Sequence, residues 1–370
     1  MGLLNDLVKN TGNEYASIVE DGVSAGDVAG WIDTGSYALN ALVSGSLFGG
    51  LPSNKVTALA GESTTGKTYF TLGIIKNFLR QNPDGIVMFF ESESAISKKM
   101  MEERGLDTKR IAIVPVETVE QFKTQALRAV DMYLEAKGKK GDAQPPMMMA
   151  LDSLGMLSTS KEMADSAEGK EVRDMTRSQI VKAAFRTLTL KLGKANIPLI
   201  ITNHVYEVIG KMYAEKEMGG GSGLKYAASS TIFLTKAKAR GEDIGGGSAD
   251  KSVVGSIITA TAAKSRLTKE GSKVKTMLTY DRGLSRYFWL LEMGLEAGII
   301  EQVGSKYSIL GRDKVFKKNI LGSPKEHFDQ EFLEALDVWV GQNFTYANLT
   351  EDEAFEQLME NDDDVGPEED

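Results

Sequence analysis

The amino-acid sequence predicts an α/β fold built on a mostly parallel central sheet, and two features carry that prediction. Between Lys55 and Val205, short apolar runs of strand length alternate with longer segments of helical periodicity. Strands that alternate with helices form a parallel sheet covered on both faces. The first apolar run also leads directly into a turn of glycine and hydroxyl residues and then a helix. That order sets backbone N–H groups and the positive end of a helix at the end of a strand.

The elements follow in order. Residues 1–31 read as a short amphipathic arm ending at Trp31, and Gly35 to Leu47 as a helix running into a glycine-rich loop. Strands are expected at 55–61, 85–91, 110–116, 145–153 and 197–205, and helices at 68–81, 96–105, 119–138 and 178–196. Three later runs, SSTIFLTKA, SIITATAAK and TMLTYDR, read as further strands. Glycine-rich or polar breaks fall at 138–146, 206–223 and 240–251. After Asp281 the pattern changes to a helical stretch at 286–300, a short hairpin in VGSKYSILGR and a low-complexity tail.

Composition narrows the function classes. The 370 residues include no cysteine and two histidines, His204 and His327. Disulfides, thiolate metal sites and a histidine-built metal centre are therefore excluded. No apolar stretch reaches the roughly 18 residues that a bilayer span needs, and the N-terminal residues lack the apolar core of a signal peptide. The expectation is a cytoplasmic protein with no membrane partner. The eleven acids from Glu351 to Asp370 account for more than the whole net charge of −9, leaving +2 for the rest. An acidic total is thus no argument against nucleic-acid binding.

Residues 61–68, GESTTGKT, fit the pattern GxxxxGK[ST]. Gly61 and Gly66 permit a bend in which successive N–H groups, from Glu62, Ser63, Thr64 and Thr65 onward, face phosphate oxygens. Lys67 brings an ammonium to the β- and γ-phosphates, and the Thr68 hydroxyl is an expected Mg²⁺ ligand. ATP and Mg²⁺ are the implied ligands. Asp152, ending the apolar run MMMALD, is the expected partner carboxylate for the metal. FFESES sets Glu91 and Glu93 at the end of the second strand, where a carboxylate can orient and deprotonate water. Spacing leaves both open, because residues of equal parity share a strand face.

The stretch TGSYALNALVSGSLFGGLPSNKVTALAGESTTGKT is followed in order by FFESESA, LDSLGMLSTSK, DMTRSQIVKAAFR, NIPLIITNHVYE, GGGSGLKYAASS and AAKSR. This series resembles the RecA family of strand-exchange recombinases over roughly residues 32–310, and DMTR, NHVYE and GGGSG are most similar to the UvsX-type recombinases of phages. The resemblance implies a RecA-type P-loop NTPase core. It selects Glu93 as the catalytic base, with Glu91 its neighbour, and makes His204 a sensor of the γ-phosphate. Met100 stands where the family often has a tyrosine on the adenine ring. Lys264 and Arg266 match cations that reach across a subunit boundary to the neighbour's nucleotide.

The resemblance also marks two DNA-binding loops, from about Gly155 to Val172 and from about Tyr206 to Gly223. The residues expected to touch DNA are Arg177, Arg186, Tyr206, Ile209, Gly220 and Gly221, with binding largely independent of base sequence. The expected organisation is an N-terminal oligomerisation arm (1–31), an ATPase and DNA-binding core (32–283), a small C-terminal subdomain (284–350) and an acidic disordered tail (351–370). The implied partners are single-stranded DNA, double-stranded DNA as exchange partner, and further copies of the chain in a helical filament. A recombination mediator and a single-strand-binding protein are candidate partners. The expected activity is DNA-dependent ATP hydrolysis coupled to strand exchange; the alternative is a hexameric helicase on the same core.

Overall fold

The computed structural model describes residues 2–13, 16–23, 26–140, 144–170, 175–207, 216–219, 222–244 and 251–346. Helix α1 (Gly2–Asn10) buries none of its residues and turns Leu3, Leu4 and Leu7 to solvent. Strand β1 (Trp31–Ile32) pairs with β2 (Leu51–Pro52), and α2 (Tyr37–Ser44) lies between them in sequence. The Ser36 side chain accepts the Leu39 N–H to open α2, and Gly45 in the left-handed region ends it.

The core then alternates. Its elements are β3 (Val56–Gly61), α3 (Lys67–Gln81), β4 (Ile86–Glu91), α4 (Lys98–Glu103), β5 (Ile111–Pro115), α5 (Val119–Lys140), β6 (Met147–Asp152), α6 (Ser160–Ala167), α7 (Arg177–Ala195) and β7 (Leu199–Glu207). They continue with β8 (Lys216–Met218), α8 (Ser222–Ala227), β9 (Ser230–Arg240), β10 (Val253–Ser265), β11 (Lys273–Thr279) and β12 (Gly283–Leu284). Among the described residues, ten strands form one sheet in the order β12-β11-β10-β9-β3-β7-β6-β4-β5, with β8 paired to β7. From β9 to β5 the strands are parallel, and β10, β11 and β12 extend one edge antiparallel. Every residue of β3 and β6 is buried, which is why these strands read as nearly unbroken apolar runs.

Two apolar layers cover the sheet. Phe89 enters the layer that holds Leu39, Phe70 and Phe78 of α2 and α3, while Phe90 enters the layer that holds Phe122 of α5 and Phe185 of α7. Adjacent residues on a strand point to opposite faces, and Phe90 meets Phe122 edge to face at 5.1 Å. No helix among the described residues is long and apolar enough to cross a membrane.

The C-terminal part comprises α9 (Leu290–Glu296), β13 (Ile300–Val303), β14 (Lys306–Ile309), β15 (Val315–Phe316), α10 (Lys317–Gly322), α11 (Pro324–His327) and α12 (Gln330–Phe344). Phe332, Leu336 and Val340 of α12 join the same apolar layer as Leu39 and Leu42. Asp337 reinforces the contact by accepting the Ser46 hydroxyl at 2.9 Å and the Leu47 N–H at 2.5 Å.

Three expectations need correction. The helix expected over 286–300 is confined to 290–296, because Trp289 lies in the left-handed region (φ 79°) ahead of it and Ile300 already starts β13. The loop expected from Gly155 to Val172 contains α6, opened by a capping box in which Thr159 and Glu162 satisfy each other's N–H groups. The loop expected from Tyr206 to Gly223 is partly a hairpin, since Val205–Glu207 pairs with Lys216–Met218. Ile209, Gly220, Gly221 and the acidic tail lie outside the described residues.

Candidate active site

The sheet register assembles the site. Gly61 on β3 lies opposite His204 on β7, and Glu91 on β4 lies opposite Asp152 on β6. All four stand at the carboxyl ends of parallel strands, the edge where open α/β sheets bind ligands. β3 and β4 are separated by β7 and β6, so α3 crosses over the sheet and presents its first turn at that edge.

The turn before α3 is shaped by its glycines. A Cβ on Gly61 would come within 2.7 Å of Thr65 Oγ1 and 2.8 Å of the Leu234 carbonyl oxygen, and Gly66 takes φ 88° as the cap of α3. Thr64 sits at φ 65°, and the Lys236 ammonium of β9 donates to its carbonyl at 2.9 Å. Glu62 and Ser63 are exposed beside it, and the Thr65 hydroxyl donates to the Glu62 carbonyl at 2.9 Å. Lys67, 7% exposed, donates to the Gly61 and Glu62 carbonyls at 2.9 Å each. Burial lowers its pKa, and the Asp152 and Glu93 charges oppose that fall. Lys236 was not a sequence candidate. It sits two residues beyond Leu234, the partner of Gly61, and only the β3–β9 pairing brings it to the loop.

Asp152 is held by two hydroxyls. Thr68 Oγ1 donates to Oδ2 at 2.6 Å, and Thr202 Oγ1 of β7 donates to Oδ1. Burial raises the Asp152 pKa; the Thr202 and Thr68 bonds pull it down, the Glu93 charge adds to the rise and Lys67 opposes it. A carboxylate beside a hydroxyl at a helix start is an all-oxygen donor set that fits Mg²⁺, which takes few protein ligands and keeps waters and phosphate oxygens. Among the described residues, no group of three or more His, Cys, Asp or Glu could hold a metal ion.

The two glutamates have different surroundings. Strand β4 ends at Glu91, whose buried carboxylate accepts the N–H groups of Glu93, Ser94 and Ala95 at 3.1, 2.9 and 2.9 Å. The turn it stabilises, with Ser94 at φ 53°, frees Glu93 from strand parity. Glu93 Oε1 accepts the Ser153 hydroxyl at 2.6 Å and lies 3.6 Å from His204 Nε2. The Glu93 side chain is 31% exposed and that of His204 21%. This geometry brings Lys67, Thr68, Glu93, Asp152 and His204 to one edge.

Along α3 lies an open cleft of about 630 Å³ lined by Tyr69, Lys76, Arg80, Arg104, Tyr280 and Arg282, among others. The Arg104 guanidinium lies 5.2 Å above the Tyr69 ring and donates to the Met100 carbonyl at 3.2 Å. Met100 itself packs against the apolar layer and is not part of the cleft wall. Sequence reasoning missed this cleft. The signal was the spacing of Tyr69, Lys76 and Arg80, which share one face of α3.

The remaining candidates are dispersed. Arg177 donates to the Leu154, Gly155 and Leu157 carbonyls at 3.2, 3.4 and 2.9 Å, so its guanidinium braces the turn after Asp152. Arg186 is exposed farther along α7, and Tyr206 is 59% exposed on the hairpin. Lys264 donates to the Lys225, Tyr226 and Ala228 carbonyls at 2.6, 3.3 and 2.8 Å, and Arg266 to Tyr226 at 3.1 Å. Both close the C-terminal end of α8 and do not join the phosphate loop of their own chain.

Residues 3–285 match the family model described as the RecA N-terminal domain. The chain is 32% identical over 263 residues to the "Recombination and repair protein" of Enterobacteria phage T4, a match covering 71% of this chain and 62% of that protein. It is 30% identical over 287 residues to "Protein RecA" of Desulforapulum autotrophicum, covering 76% of this chain and 74% of that protein. It is 27% identical over 312 residues to "Protein RecA" of Mycobacteroides abscessus, covering 83% and 80%. With a match over most of its length and the strand order and phosphate loop described above, the chain belongs to the RecA family and its central domain has the RecA-type α/β fold.

Proposed function

We propose that the chain is an ATP-dependent DNA recombinase that polymerises on single-stranded DNA, pairs it with a homologous duplex and exchanges strands in recombination, repair and recombination-dependent replication. One observation carries the reading. His204, 3.6 Å from Glu93, lies on β7, and the same strand continues through Tyr206 into the hairpin with β8. A change at the nucleotide therefore has a short rigid path to the segment proposed to meet DNA.

In this reading the phosphate-loop N–H groups and the Lys67 ammonium hold the triphosphate of ATP. Thr68 and Asp152 would hold Mg²⁺, which would supply neutralisation of the phosphate charge. Glu93 takes the proton of the attacking water, and His204 donates a ring N–H to the γ-phosphate. Lys264 and Arg266 act on the next subunit's nucleotide. Residues 32–283 form the ATPase and DNA-binding core, with residues 1–31 serving assembly and 284–350 an appended subdomain. Electron microscopy with single-stranded DNA and a non-hydrolysable ATP analogue tests the reading. Helical filaments are expected; closed rings would replace it with the helicase alternative.

A further inference from the structure

The hydroxyl of Ser153 has no task in the chemistry above, yet it is placed with unusual constraint. Ser153 is fully buried and follows Asp152 at the end of β6. Its N–H donates to Ser92 Oγ at 2.8 Å, its carbonyl accepts the Ser92 hydroxyl at 2.9 Å, and the Ser92 N–H donates to the Asp152 carbonyl at 3.1 Å. These bonds clamp its backbone to the end of β4. On that fixed backbone, the hydroxyl donates to Glu93 Oε1 at 2.6 Å, the length of a charge-assisted hydrogen bond.

The backbone of Glu93 is anchored separately, because its N–H donates to Glu91 Oε1. Glu91 thus fixes where the Glu93 side chain begins, and Ser153 fixes where its carboxylate ends. We propose that Ser153 is a positioning residue for ATP hydrolysis: by holding Oε1 it aims Oε2 of Glu93 at the attacking water. The proposal rests on the reading of Glu93 as the base. It acts through Glu93 and not through Asp152, whose carboxylate is held by Thr68 and Thr202. The clamp to Ser92 uses only the main chain of Ser153, so Ser153→Ala removes one hydrogen bond and leaves the strand contacts in place.

The test is a double-mutant cycle in the full chain with Ser153→Ala, Glu93→Gln and the double variant. DNA-stimulated ATP turnover, KM for ATP and affinity for a single-stranded oligonucleotide are measured for each. Misaimed groups typically cost up to about a hundredfold in rate. Ser153→Ala is accordingly expected to lower kcat by roughly ten- to a hundredfold, with KM and DNA affinity within about twofold. In the Glu93→Gln background, where there is no base to aim, it should cost nothing further. The proposal is overturned if Ser153→Ala turns over at or above the wild-type rate, if its loss lies in KM or DNA affinity, or if the same factor is lost in the Glu93→Gln background. An inactive Glu93→Gln beside a normal Ser153→Ala sinks the positioning role alone. Normal turnover by Glu93→Gln sinks the base assignment and the positioning role with it.

Discussion

At the residue scale, two glutamates separated by one serine have different surroundings because strand β4 stops at the first of them. The carboxylate of Glu91 is occupied by three backbone N–H groups, whereas Glu93 faces Ser153 and His204. Glu93→Gln should keep ATP and DNA binding while lowering turnover by at least about a hundredfold, the scale of a positioned base. Glu91→Ala should behave differently. Orphaning buried donors costs roughly 1–3 kcal/mol, so thermal unfolding should shift downward along with activity. A Glu93→Gln variant with normal turnover and a Glu91→Gln variant without it would exchange the two roles. Thr202 offers a second test, since its hydroxyl orients the Asp152 carboxylate from the side opposite Thr68. Residues that orient a metal ligand typically affect metal affinity by about 10–100-fold. Thr202→Val should therefore raise the Mg²⁺ concentration for half-maximal turnover by about tenfold or more, and an unchanged Mg²⁺ titration would remove Thr202 from that role.

At the element scale, the segment between β1 and α2 is tied to the turn after β12 by one carboxylate. Asp33 accepts the Arg286 guanidinium at 2.6 and 2.5 Å, Asn40 Nδ2 at 3.0 Å and the Gly35 N–H at 3.0 Å. Burial raises the Asp33 pKa, but the bonds from Asn40, Arg286 and Gly35 and the Arg286 charge outweigh it and hold the group below its ordinary 3.8. A carboxylate lowered on folding contributes stability that is present above its unfolded pKa and is lost as pH falls through the folded value. Asp33→Asn should therefore cost roughly 1–3 kcal/mol at neutral pH, and its unfolding temperature should fall less than that of the wild type between about pH 6 and pH 3. Parallel acid limbs would remove Asp33 from the account. This tie was not legible in the sequence, since it joins residues more than 250 positions apart. The central strands and helices were legible, because burial on both faces leaves them apolar and their ends carry turn residues. The missed elements had weaker marks. α6 was announced only by the Thr159–Glu162 capping pair, and α8 is a six-residue helix entered from a glycine run. Lys67, Thr68 and Asp152 were legible from the motif and strand end, whereas Thr202 and Ser153 act through register and a clamp that no spacing encodes.

At the scale of the whole molecule, sheet direction decides what one chain can do alone. Lys264 lies opposite Thr231 on β9, and Thr231 lies opposite Ala58 on β3. Ala58 precedes Gly61 by three residues, roughly 10 Å along a strand, and β10 runs antiparallel to β9, so its end points away from the loop. Lys264 and Arg266 therefore stand toward the amino edge of the parallel strands, while the phosphate loop stands at their carboxyl edge. If both are used in one reaction, the amino edge of one copy must meet the carboxyl edge of the next. Such a head-to-tail contact propagates into a ring or an open helix. Lys264→Ala should then lose DNA-stimulated turnover while still binding nucleotide, and Lys67→Ala should lose turnover through its own loop. In an equal mixture, a junction formed by the Lys264→Ala loop and the Lys264 of a Lys67→Ala neighbour is complete. With random order about a quarter of junctions are of this kind, so turnover should recover toward about a quarter of the wild-type level. The same mixture separates a competing explanation. Lys264 also satisfies the carbonyls that end α8 in its own chain, and loss of that cap stays with the mutated chain whatever its neighbour. Co-assembled mixtures that recover no turnover at any ratio would assign Lys264 to the helix cap and reject the shared site.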